Sequence, residues 1–271
     1  MRTPRSLAVV LIAVPAWLLT PLHNQIEHER QQFQYGGAPV TRELRDQIGQ
    51  GMAIALLAGF RGVAADFIWI RAHDHWEKRE WLLQAESIEN AAKLQPRSTF
   101  FWDSGSWHMG WNIARAERIG TNDITIAQGL IRERYWHQRA RSFLERGIAN
   151  IPNRFDLYFK LGWLYDQKLA RGCGGDPECV KLQNTKAAEL FIRASEYPTA
   201  PTYVARDAAR SLEKAGDLPA AYDFWVNKIW RDDRRIRTAA DRTIVEREIR
   251  RLEERLDIPA PSRVFPKTSA S

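Results

Sequence analysis

Two cysteines are all the chain contains, and they fall close together in Cys173-Gly-Gly-Asp-Pro-Glu-Cys179. A zinc site on them would need two more ligands, and a dithiol redox motif normally has two intervening residues. Cysteines across a Gly-Gly-Asp-Pro turn suit a disulfide, with free thiols the alternative. Also lacking are a glycine-rich phosphate loop, a nucleophile elbow and a zinc-protease motif, so any catalysis would need residues that only the fold assembles. Charge of one sign is not segregated: 40 Lys and Arg are interspersed with 33 Asp and Glu. The resulting net charge of +7 permits attraction to nucleic acid or anionic lipid and specifies neither.

Apolar residues make up 44% of the 271 and include eleven tryptophans, which argues for a packed core. Arg2 and Arg5 precede an uncharged apolar run over 7–22. Extended to 6–26, it has the length a membrane-spanning helix needs, and membrane helices tolerate kinks such as Pro15 and Pro21 would give. A cleaved signal peptide is the rival, with Val14-Pro15-Ala16 as cleavage site. Trp17, Leu18 and Leu19 beyond that site favour retention as an anchor. Arg2 and Arg5 before the run, with Glu27 and Glu29 after it, keep the N-terminus cytoplasmic and place the body outside the inner membrane. A disulfide agrees with that oxidising compartment. Residues 27–58 read as a linker and a lead-in helix capped by Thr41. The stretch 52–71 is apolar apart from Arg61, Asp66 and the closing Arg71. A second membrane span would bury Arg61 and Asp66 in lipid, so a buried helix, with those charges paired, is the preferred reading.

From Trp69 onward the pattern is one of helical hairpins. Tyr158, Leu161, Gly162 and Tyr165 share a helix face, and the small residue lets a partner helix approach closely. Ala187, Phe191 and Ala194, closed by Pro198, supply that partner after an insertion. These offsets resemble the two-helix template of the tetratricopeptide repeat. Trp69, Ala72, His73 and Trp76 occupy first-helix positions of an earlier unit, with Ala85, Glu89 and Ala92 on its second helix. Trp107 and Trp111 lie on a further first helix; Ala140, Leu144, Gly147 and Pro152 fit its partner, with 124–135 an inserted helix or loop. Ala205, Ala209 and Leu212, then a turn at Ala215-Gly216-Asp217, then Ala221 and Trp225 make a fourth unit. Val245, Ile249, Leu252 and Leu256 form one stripe on a polar-backed closing helix, for which a short dimerising coiled coil is the alternative. Pro259, Pro261 and Pro266 indicate a loose tail.

Gly59-Phe60-Arg61-Gly62, Ala65-Asp66, Trp69-Ile-Arg71, Leu94-Gln-Pro96 and Trp111-Asn112-Ile113 resemble a subgroup of membrane-anchored tetratricopeptide-repeat proteins of bacterial envelopes. The resemblance implies an all-α fold: a TPR-like α-solenoid of helical hairpins behind an N-terminal transmembrane helix. It implies a binding role and brings no catalytic residues. The expected organisation is an anchor over 1–26, linker and lead-in helix over 27–58, repeat domain over 59–233, capping helix over 234–258 and flexible tail over 259–271.

In this repeat class the first helices line the binding wall. Here that predicts Phe67, Ile70, Asp74 and Lys78, then Phe159, Trp163 and Asp166, then Tyr203, Arg206 and Arg210. Rigid rings and Arg are good anchors for a protein or peptide partner, although Trp163 or Phe67 packing into the core is an equal expectation. Arg206 and Arg210, one turn apart on an expected open face, would grip a carboxylate. His73-Asp74-His75 looks ligand-like, yet neighbours on a helix point about 100° apart and cannot chelate as a pair. No metal and no cofactor is expected, and His73 reads as a packing residue. The alternative function is an enzyme or accessory subunit acting on an envelope polymer through Asp66, His73 and Asp74. Nucleic-acid binding through 231–237 is a third reading, with salt-dependent affinity as its mark.

Overall fold

The computed structural model describes residues 60–120 and 124–265; the anchor run, the linker and the Thr41 helix lie outside them. The described chain is all-helical. Among the described residues no helix is long and apolar enough to cross a membrane.

The first hairpin is α1 (Arg61–Glu77) against α2 (Trp81–Leu94). Ala64, Ala65, Ile68 and Ala72 of α1 are buried, as are Ala85, Ile88, Ala91 and Ala92 of α2, so small side chains bring the two axes close. The other faces of α1 are open, with Val63, Asp66, Phe67 and Ile70 exposed. Expected to be buried on all sides, α1 is buried on one, and no buried charge at Asp66 demands a partner.

The second hairpin is longer. Its first arm runs from α3 (Thr99–Trp107) through a π-turn at His108–Ile113 into α4 (Ala114–Ile119). Its second arm is the single helix α5 (Ile126–Asn150), started by a capping box between Thr125 and Gln128. The supposed insertion over 124–135 is therefore the first half of a continuous helix, matched by the lengthening of the opposite arm. Gly129 makes the match close: a Cβ there would lie 2.4 Å from the Arg118 carbonyl oxygen.

The third hairpin pairs α6 (Phe155–Leu164), prolonged by a π-turn at Tyr165–Leu169, with α7 (Pro177–Ser195). A Cβ on Gly162 would sit 3.0 Å from the Phe191 ring, which is the close approach expected of that position. Between the arms a 3-10 turn at Arg171–Cys173 leads into a disulfide from Cys173 to Cys179. Gly174 and Gly175 make that turn with φ of +64° and +90°. Asp176 then caps α7 ahead of Pro177.

The fourth hairpin is α8 (Thr202–Lys214) with α9 (Leu218–Asp223) and a third π-turn at Phe224–Trp230. Gly216 at φ +84° makes the turn and the Asp217 side chain caps α9. α10 (Ala239–Arg255) closes the array, burying Val245, Ile249 and Leu252 against the fourth hairpin, with Leu256 half-buried. Full burial of a side chain such as Phe143, Phe191 or Leu252 is worth about 1.5–3 kcal/mol each. The tail departs from expectation at its start. Phe265 packs on Trp230 at 4.8 Å and the Val264 amide donates to Glu253, so the chain is docked as far as 265. An aromatic within a proline-rich stretch has found a ring to pack on.

Candidate partner-binding wall

The first arms α1, α3, α6 and α8 touch one another through rings. Trp69 of α1 meets Phe100 and Phe101 of α3 at 5.2 and 5.6 Å. Trp107 and Trp111 stack at 4.9 Å, and Trp163 of α6 joins both, lying 5.2 Å from Trp111 and 5.8 Å from Trp107. Phe159 of α6 then meets Tyr203 of α8 at 5.6 Å. Near-parallel stacking of three indoles fixes each ring through the others, and Lys168 Nζ lies 5.6 Å from the centre of Trp111. The line is accessible at intervals: Phe67, Ile70, Phe100, Trp107 and Tyr203 are exposed, while Trp163 and Phe159 are half-buried.

Between the arms the rings alternate with ion pairs. Lys160 Nζ lies 3.0 Å from Asp103, and Lys214 Nζ lies 2.5 Å from Asp166, whose side chain is only 7% exposed. Asp166, expected to face a partner, is thus engaged within the fold. Arg206 requires a correction. It is not on an open face: α10 docks beside it, and Asp241 in the first turn of α10 accepts from Arg206 Nη1 at 2.6 Å. The carboxylate expected from a partner is supplied by the chain itself. Hydrogen bonds from Arg206 first, then from Thr238, hold the Asp241 carboxyl below its ordinary pKa. Arg210 remains exposed with a 3.7 Å contact to Asp207, and Asp74 and Lys78 are exposed on α1. Of the ten residues expected on the wall, Phe159, Trp163 and Tyr203 take part in these ring contacts.

His73 is exposed beside Glu77 at 3.4 Å and does not pack. His75 bonds Glu80 at 2.6 Å, and Asp66 and Asp74 point outward. Among the described residues no three His, Cys, Asp or Glu side chains are placed to hold a metal. Over 231–237 Arg231, Arg234 and Arg237 are exposed and Arg235 is half-buried; Arg234 and Arg235 bind Asp232, whose carboxyl they hold at about 2 chiefly through the Arg234 side chain. Arg235 also donates to the Ser195 carbonyl.

One surface was not foreseen. Trp81, Leu82 and Leu83 at the start of α2 face Ile131, Tyr135 and Trp136 of α5 across a groove of about 720 Å³. Leu82, Leu83, Ile131 and Tyr135 are exposed there. Only the continuity of α5 from Ile126 brings Ile131 and Tyr135 opposite Leu82 and Leu83. No protein-family model matches the chain, and no curated protein is similar enough to count as a relative.

Proposed function

We propose that the chain is a membrane-anchored scaffold, not an enzyme, in which tetratricopeptide-type hairpins hold a protein or peptide partner outside the inner membrane. The observation that carries this reading is that ring contacts join each first arm to the next: Trp69 with Phe100 and Phe101, the Trp107–Trp111–Trp163 stack, and Phe159 with Tyr203. Pre-stacked rings lose little freedom on binding and present large amphipathic area, which is what anchors peptide recognition. The sequential hairpins, the Gly162 approach to Phe191 and the polar-backed α10 support the repeat-type architecture. The run over 7–22 supports the anchor and the disulfide supports an oxidising side.

The test is chemical cross-linking and pull-down from intact membranes, comparing wild type with Trp107→Ala/Tyr203→Ala. These two are chosen because both are exposed and neither belongs to an ion pair, unlike Arg206. A defined protein recovered with wild type and reduced at least tenfold with the double variant is the expected result. Equal recovery moves the interface off the wall, and no defined partner removes the scaffold reading.

A further inference from the structure

At the edge of the array, the end of α4, one face of α5, the second π-turn and the disulfide turn enclose a cavity of about 260 Å³. Its charged lining is Arg118, Glu133, Arg134, Lys168 and Arg171, and His137 lies in its wall. Glu133 and Arg134 lie four and three residues before His137 on α5, so each is a neighbour of His137 on that helix. Arg118 and Glu133 neutralise one another at 2.5 Å. Arg134, Lys168 and Arg171 have no ion-pair partner among the described residues: Arg171 donates to Gln167, and Lys168 lies over Trp111. Three uncompensated cations therefore converge on one small space.

The imidazole adds an independent sign. His137 is 4% exposed, its ring is engaged by the Gly110 backbone, and its Nε2 is buried without any partner. A buried polar atom left unsatisfied is costly, and a native structure rarely holds one without a use. We propose that this cavity binds a phosphate group, with Arg134, Lys168 and Arg171 around its oxygens and the His137 imidazole in the wall behind them, gaining a proton as the negative charge arrives. A dianion answers three unpaired cations better than a single carboxylate does, and guanidinium forks match phosphate oxygens in pairs. The cavity has room for part of the group that carries the phosphate. Arg171 stands on the turn that the Cys173–Cys179 disulfide closes, so the disulfide holds one wall in place.

The surroundings of His137 and Lys168 disfavour charge on both. Burial pushes the His137 imidazole down to about 4, with Glu133 opposing and Lys168 and Arg118 reinforcing, and burial also lowers Lys168. An anion among them reverses both directions, which gives a readout besides affinity.

The experiment is titration of the full-length chain in detergent with inorganic phosphate and with pyrophosphate, against a constant chloride background. Phosphorus NMR reports binding and proton NMR follows the His137 ring. Saturable binding, an upward move of the His137 titration, and at least tenfold weaker binding by Arg134→Gln/Arg171→Gln at unchanged circular dichroism are expected. Neither substituted residue belongs to an ion pair among the described residues, so folding should survive. Absence of saturable binding by either anion overturns the proposal, as does equal affinity in the double variant. Phosphatidic acid vesicles that displace bound pyrophosphate assign the phosphate to a lipid headgroup; vesicles that leave it bound assign it to a soluble phosphoester. The wall variant Trp107→Ala/Tyr203→Ala should bind both anions as wild type does, which separates this site from the scaffold reading.

Discussion

The first and last helices of the described array meet solvent in opposite ways. α10 turns Val245, Ile249 and Leu252 fully inward and covers its other faces with Arg and Glu. α1 buries Ala64, Ala65, Ile68 and Ala72 but leaves Phe60, Val63, Phe67 and Ile70 exposed at helical spacing. The C-terminal end is also stitched by polar contacts. Arg206 reaches Asp241, Arg251 and Arg255 reach Glu213, and Tyr222 and the Val264 amide both donate to Glu253, which is 1% exposed. The comparison separates two uses of apolar surface: at one end it closes a stack, and at the other it is presented.

The sharpest way to break the contrast is to truncate the closing stripe. Leu252→Ala should cost about 2–5 kcal/mol in urea unfolding, because a fully enclosed site collapses poorly around the lost methyls. Glu253→Ala comes next. It orphans the Tyr222 hydroxyl and the Val264 amide, each a loss of about 1–3 kcal/mol if the donor stays buried, and it should release 259–265 to amide exchange. Acid should then loosen α10 selectively. The Asp241 carboxyl lies below its ordinary value in the folded chain, so its contribution is complete above about pH 3.9 and fades as pH falls from there toward the lowered value. Exchange of α10 amides measured down to pH 2 should show this step, and Arg206→Met should move it upward. The smallest effect belongs to the open end: Phe67→Ser should change stability by within about 0.5 kcal/mol, since the ring is exposed. A large loss there would mean that the α1 face is covered in the intact chain.

Much of the hairpin order was legible, because Ala and aromatic residues at three- and four-residue spacing mark the buried stripe whatever lies against it. Ala187, Phe191 and Ala194, or Val245, Ile249 and Leu252, could be read without a structure, as could the Gly216-Asp217 turn and the disulfide. Arg206 could not. It and Arg210 share a face in the sequence, and only the docking of a helix more than thirty residues later distinguishes them. The first half of α5 was also hidden: Gly120 marks the end of α4, but Gly129 lies within α5 and interrupts the pattern without ending the helix. The basic cavity was illegible for a related reason. Arg118, Arg134 and Arg171 are far apart along the chain, and each alone looks like a solvated surface charge.

Among the described residues, π-turns lie inside the first arm of the second hairpin, at 108–113, and at the ends of α6 and α9, at 165–169 and 224–230. Such a turn admits one residue more than an α-helical turn, so everything beyond it is rotated by about 100° with the backbone unbroken. For a helical hairpin this is a means of absorbing a one-codon insertion within a helix instead of in a loop. The reverse event should be harder to tolerate. Loss of a single codon within 108–113 would restore an α-helical run and swing Ile113 and Ala114, now buried, away from the core. The helices of this chain therefore carry a phase as well as a length, and a gene that drifts by one residue there changes which side of the protein the rest of the arm faces.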